Sequence, residues 1–212
     1  MRTISVGHSP DADDIFMYYA IKFGWVSLPK VKFENIALDI ETLNQATLKG
    51  IYDICAISFA LYPFVKDDFA LLKTAVSFGE GYGPKLIKKK GAKLKKNFKV
   101  ALSGEFTTNA LLFKIAYPDA RISYMNFLDI ENAVINGDVD AGVLIHESIL
   151  TYSSLLEVER EIWDIWVELC NGEELPLPLG GMCLRRSIPL TEAIGYENAL
   201  IKAVDVANKN RK

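Results

Sequence analysis

The chain has 212 residues, half of them hydrophobic and 24% charged, which is enough apolar material for a sizeable core and excludes a disordered chain. At roughly 100–200 residues per domain it makes one large domain or two small ones. The charge balance, 24 Lys and Arg against 27 Asp and Glu for a formal −3, argues against a generally basic nucleic-acid binder. No apolar run reaches the roughly 18 residues of a membrane-spanning helix. The opening MRTISVGHSP has no apolar core of a secretory leader, so a cytoplasmic location without membrane attachment is expected. Cys55, Cys170 and Cys183 are odd in number and scattered, with neither metal-ligand spacing nor a disulfide framework, and read as reduced packing residues.

Residues 3–8 alternate like a strand, and Ser9 or Asp11 caps a helix that Gly24 ends. Asp13 and Asp14 fall in its first turn, where carboxylates complement the helix dipole. With Asp11 they also make a cluster of acids, but there is no EF-hand glycine or distal glutamate, and no metal is expected. A strand follows at 31–38, a short helix at 41–49 closed by Gly50, and an apolar strand at 52–58. This β-α-β-α-β order predicts a parallel sheet covered by helices. Two further strands are expected at 69–77 and 84–89. Gly79, Gly81 and Gly83 between them form a flexible crossover or let a ligand approach the backbone. Residues 87–99 hold seven lysines and no acid, read as an exposed strand end and loop, since no aromatics interleave as in nucleic-acid grooves.

A second, similar pattern begins with a strand at 99–103. After it come a turn, a helix that stops before Pro118, a strand at 121–125 and a helix over 128–136 closed by Gly137. A strand at 140–145 brings His146 to its C-terminal end. Another strand is expected near 155–158, then a buried helix from Glu161, a proline-containing linker leading into a strand, and a helix over 190–208 with a break at Gly195. The predicted organisation is a first α/β lobe of residues 1–97 plus 187–212 and a second lobe of 98–186, facing each other over a cleft. In open α/β sheets ligands bind at the carboxyl ends of strands, which singles out Ser9, Ser58 and His146.

The chain has two histidines, His8 and His146. An imidazole with an ordinary pKa of about 6.5, held at a strand tip, suits proton abstraction at neutral pH; it serves equally as a hydrogen-bonded structural group. Thr107, Thr108 and Asn109 open a helix after a turn, where amides and hydroxyls either hold an anion such as a carboxylate or simply cap the helix. Neither glycine-rich phosphate motif occurs, so no nucleotide or other cofactor is expected. Nothing in the sequence specifies an oligomeric state.

Several phrases together identify a resemblance: SPDADDIFMYYA (9–20), ETLNQATLKG (41–50), ISFALYPFV (57–65), GYGPKLI (81–87), GEFTTNALL (104–112), DAGVLIHESILTY (140–152) and LPLPLGGMCLRR (175–186). In their order and spacing they resemble the 1,4-dihydroxy-6-naphthoate synthases of the futalosine route to menaquinone, over about residues 3–190. The resemblance implies a type II periplasmic-binding-protein-like fold and, as substrate, the small molecule cyclic dehypoxanthine futalosine. It implies a histidine general base, here His146, and substrate contacts at Ala56, Ile57 and Ser58 and at Thr107, Thr108 and Asn109, with Ser9 at the neighbouring strand end. Many members carry a lysine where Ala56 stands. Members also continue into C-terminal helices that pack on the first lobe; this chain ends at NKNRK, either as a fragment of a longer protein or as a protein with shortened C-terminal helices, and in the second case exposed apolar surface on that lobe is expected. A sister chorismate dehydratase, a non-catalytic small-anion binding protein and a regulator's effector domain share the implied fold. The histidine phrase and SPDADD favour the synthase.

Overall fold

The computed structural model describes residues 1–210, the side chains of Ala12 and Asp13 excepted; the expectation for the Asp13 carboxylate lies outside the described residues. The chain forms two compact units, residues 1–77 with 180–212 and residues 78–179. The sequence places the boundaries at 97/98 and 186/187. The units divide earlier because the strand at 85–89 is built into the second sheet rather than the first.

In the first unit, β1 (Arg2–His8), α1 (Ala12–Lys22), β2 (Val31–Ala37), α2 (Ile40–Leu48) and β3 (Ile54–Ser58) follow the expected order. β1 pairs in parallel with β2 over all seven residues and with β3 through Val6–Ile54 and Gly7–Cys55. Helix α2 forms because Asp39 accepts the Thr42 N–H at 3.1 Å and its face of Leu43, Asn44, Ala46 and Thr47 is buried. At α1, Asp11 occupies the capping position without a side-chain cap bond, while the Asp14 carboxylate accepts the Ser9 N–H at 2.8 Å. The predicted strand 69–77 is two short strands, β4 (Phe69–Leu71) and β5 (Ser77–Gly79), with Ala75 in the left-handed region (φ 55°) between them. A 3-10 turn at Phe59–Leu61 and a short helix α3 (Tyr62–Val65, with a proline in its first turn) precede them, where the sequence reading assigned no element.

The returning strand β11 (Leu177–Arg185) lies antiparallel between β3 and β4, so the sheet is mixed rather than parallel, with order β2-β1-β3-β11-β4 and β5 also paired to β11. It begins inside the expected linker and carries Pro178. The last helix, α7 (Leu190–Lys209), runs unbroken through Gly195. A helical glycine costs roughly 1 kcal/mol, and the burial of Tyr196, Ala199, Leu200, Ala203 and Ala207 on one face outweighs it.

The second unit holds β6 (Lys85–Lys89), β7 (Lys99–Leu102), α4 (Thr108–Ala116), β8 (Arg121–Tyr124), α5 (Phe127–Asn136), β9 (Ala141–Leu144), β10 (Leu156–Glu161) and α6 (Ile162–Leu169). Its sheet order is β10-β6-β9-β7-β8; β7 is parallel to β8 and β9, while β6 is antiparallel to β9 and β10. The lysine run is solvated as expected, with Lys88 paired to Glu157 and Glu159 and Lys96 to Asp119. Helix α5 is capped at both ends. Asn126 accepts the Leu128 N–H at 3.0 Å, and Gly137 (φ 84°) supplies the left-handed stop. Its inner face, Ile130, Ala133 and Val134, packs with Ile87, Ala101 and Leu144. This contact is so close that a Cβ on Gly142 would run into Ile130 Cγ2.

Cys55 and Cys183 face each other on β3 and β11, both buried and reduced. The neighbouring Arg185 N–H donates to Asp53 O at 2.9 Å. The cysteines, two residues on, therefore form a hydrogen-bonded pair, where the Cβ separation of about 5.5 Å exceeds what a disulfide spans. Burial pushes the Cys55 thiol up to about 12 and the Cys183 thiol upward as well. Burial and then the Asp14 carboxylate raise the Tyr18 phenol.

Two outcomes follow from this packing. Gly142→Ala is expected to cost about 1–3 kcal/mol through overpacking, read as a lowered urea midpoint. The raised thiol and phenol stay neutral in the fold but ionise in the unfolded chain, so their stabilisation is complete below pH 9. It is lost as pH climbs toward 12, and Cys55→Ala should make that alkaline loss shallower in unfolding curves taken across the range.

Candidate functional site

In each unit the expected site residues gather at the C-terminal edge of a parallel ladder. In the first unit Ser9 follows β1 and Ser58 ends β3, the strand paired beside it. Ser9 is held on three sides. Its N–H goes to Asp14, its hydroxyl oxygen accepts the Asp11 N–H at 3.2 Å, and its carbonyl oxygen lies 2.7 Å from His8 Nδ1. Ser58 is gripped by Asn44 of α2, whose Oδ1 accepts the Ser58 N–H at 2.9 Å and whose Nδ2 donates to Ser58 Oγ at 3.0 Å. The donor from Asn44 occupies one lone pair of that hydroxyl and leaves its proton to be given elsewhere. Ala56 and Ile57 lie inside β3; Ile57 is completely buried and stands opposite Gly181 in the ladder, so its side chain is core.

In the second unit β7 and β9 run side by side through Val100–Ala141 and Ala101–Gly142, and both end at the same edge. Thr107 is the N-cap of α4. It accepts the Ala110 N–H at 3.3 Å and donates to Gly104 O at 3.0 Å, so capping is its observed role. Thr108 Oγ1 donates to Leu179 O at 2.9 Å. Asn109 Nδ2 donates to Ser103 Oγ at 3.4 Å, while Asn109 Oδ1 is buried with no hydrogen-bond partner. An orphaned buried acceptor costs roughly 1–3 kcal/mol, and a donor such as a ligand hydroxyl would relieve it. The early N–H groups of a helix also favour a negative group.

His146 stands two residues beyond β9 and opens a 3-10 turn, His146–Ile149. Its backbone is left-handed, with φ 53°. This is uncommon outside glycine and costs about 1–2 kcal/mol; such strain concentrates at functional positions. The imidazole is half-buried and meets Phe127, the first residue of α5, edge to face with centroids 5.1 Å apart. His8 is buried and stacks on Tyr18 at 4.4 Å, the structural arrangement.

The sequence reading missed Asn44 and Phe127. Asn44 had a signal: it falls on the apolar face of α2 beside Leu43 and Ala46, where a polar residue requires a partner. Phe127 had none, because its meeting with His146 depends on how α5 packs on β9.

The family described as "Menaquinone biosynthesis" matches this chain over residues 4–212. The chain belongs to that family. It is thus an enzyme of menaquinone biosynthesis. A curated relative, the 1,4-dihydroxy-6-naphthoate synthase of Thermus thermophilus, is 31% identical over 210 residues, covering 98% of this chain and 72% of that protein. The synthase of Streptomyces coelicolor is 33% identical over 193 residues, covering 88% and 67%. A crystal structure of an Archaeoglobus fulgidus protein superposes with a TM-score of 0.90 at 36% identity, covering 98% of this chain and 77% of that one. The periplasmic aliphatic sulphonate binding protein of Escherichia coli superposes at 0.68 with 12% identity, covering 100% and 75%. That likeness shows the fold, a two-lobed type II periplasmic-binding-protein fold, and nothing of ligand. Among the described residues no three His, Cys, Asp or Glu side chains gather as a metal site, and no helix is long and apolar enough to cross a membrane.

Asn44→Ala should leave the Ser58 N–H buried and unpaired, lowering stability by about 1–3 kcal/mol in urea unfolding.

Proposed function

We propose that this menaquinone-biosynthesis enzyme is a 1,4-dihydroxy-6-naphthoate synthase, a carbon–carbon lyase that converts cyclic dehypoxanthine futalosine to 1,4-dihydroxy-6-naphthoate in the cytoplasm. The observation that carries the reading is the match along residues 4–212, with two curated relatives of that name at 31% and 33% identity. The binding-protein alternative rests on fold alone, at 12–16% identity.

In this reading His146 is the general base. A neutral imidazole takes a proton from the sugar-derived ring of the substrate. The freed electron pair forms a new double bond in the ring as the carbon–carbon bond to a small fragment breaks; the fragment leaves with that bond's electrons and takes up the proton held by the imidazolium, and the gain of aromaticity draws the reaction forward. The left-handed backbone of His146 and the Phe127 ring against it support a held, oriented imidazole. The retained carboxylate is assigned to the N-terminus of α4 at Thr107, Thr108 and Asn109, and the orphaned Asn109 Oδ1 to a substrate hydroxyl. Ser9 and Ser58 orient ring oxygens. At the position of the family lysine, Ala56 contributes no charge, so the carboxylate depends on amides and hydroxyls. No metal or nucleotide enters this scheme.

General-base catalysis typically supplies about 10²–10⁴-fold in rate. His146→Ala and His146→Asn should therefore lower turnover by about that factor with the circular dichroism spectrum unchanged. Asparagine tolerates the left-handed backbone, so the two variants separate loss of the base from loss of the turn. Near-normal turnover in either would remove His146 from the role.

A further inference from the structure

The outer edge of β2 has a pattern that the proposed chemistry does not use. β2 is the end strand of the first-unit sheet, and every one of its residues pairs with β1 on the inner side. Two bonds fix the phase of that ladder: Arg2 N–H donates to Lys30 O at 2.8 Å and Leu38 N–H to His8 O at 3.0 Å. Even-numbered residues therefore turn their backbone groups toward β1, and Phe33, Asn35 and Ala37 turn theirs outward. Val31 also faces outward, with its N–H donated to Leu28 O at 3.2 Å and its carbonyl left over. An edge of this kind is a template for another strand.

The side chains follow the same alternation. Lys32, Glu34 and Ile36 project from one face and are exposed, and no ion pair among the described residues engages Lys32 or Glu34. On the other face Phe33 is half-buried against Tyr196 of α7, and beside it a cavity of about 720 Å³ lies open between α1 and β2.

We infer that β2 is the seam of a homodimer, pairing antiparallel with β2 of a second copy about a two-fold axis at Phe33. Three two-fold registers pair at least five residues of the strand. An axis at Glu34 sets that carboxylate against its own copy. One at Asn35 sets Glu34 opposite Ile36 and takes Lys32 beyond the pairing. The axis at Phe33 sets Lys32 opposite Glu34 of the second copy and, by symmetry, Glu34 opposite Lys32. It also makes Phe33 a hydrogen-bonded pair with its own copy and lets the Val31 carbonyl accept from Asn35. Only this register joins opposite charges, and it does so at non-hydrogen-bonded positions, where side chains approach most closely. The second copy fits this edge because the edge complements itself.

The test is sedimentation equilibrium of the full chain up to about 200 µM, a range that captures weak association. The wild type should show a reversible monomer–dimer equilibrium. Lys32→Glu and Glu34→Lys each convert two attractive pairs into two repulsive ones and should weaken it roughly tenfold or more. An equimolar mixture of the two single variants should associate, and K32E/E34K should associate like the wild type, because the double variant restores opposite charges in this register alone. Both side chains are exposed, and circular dichroism will confirm that the variants fold. A wild type that stays monomeric over the range, a dimer indifferent to either single change, or a mixture that fails to associate overturns the proposal.

Discussion

The parallel ladders, β1 with β3 in one unit and β7 with β9 in the other, are the constraint on which the candidate residues of each unit depend. Two neighbouring parallel strands end at the same edge, so whatever follows them in sequence is delivered to the same place. Ser9 and Ser58 meet this condition in the first unit, and the α4 cap and His146 meet it in the second. The antiparallel strands β11 and β6 serve a different purpose. They close the sheets from the opposite direction and bury the strands that carry the candidate residues.

The polar groups at these edges are treated unequally. Asn44 satisfies Ser58 twice, so that hydroxyl is positioned by a buried amide rather than by the ligand. Thr107 and Thr108 are bound to carbonyls of their own unit. Asn109 Oδ1, buried without a hydrogen-bond partner, and the left-handed backbone of His146 each carry a cost. A folded chain tolerates such costs where a ligand or a reaction uses them, and both fall at the same sheet edge. Tyr18 and the paired cysteines contribute packing instead, since burial holds them neutral and unreactive.

Much of this was legible from residues alone because it is local. Alternation at 3–8, the glycine after α5 and the apolar run 140–145 placed β1, α5 and β9 with little error. The readings that changed depend on partners far away in the chain. From sequence the first sheet reads as parallel, because β11, which makes it mixed, arrives more than a hundred residues after β3. The unit boundary moved from 97 to 77 because β6 pairs with β9 and β10, a choice invisible in the lysine-rich segment itself. Propensity alone predicts a break at Gly195, and the buried face of α7 overrides it. For the candidate site, the resemblance singles out His146 as the proposed base, but neither its backbone conformation nor the Phe127 ring beside it has a signature in IHES.

The most direct measurement is turnover of cyclic dehypoxanthine futalosine by the unmodified 212-residue chain in chelator-treated buffer, followed by the absorbance of the released naphthoate. The account predicts naphthoate accumulating well past one equivalent per chain. Substrate recovered intact beside a folded protein would contradict it.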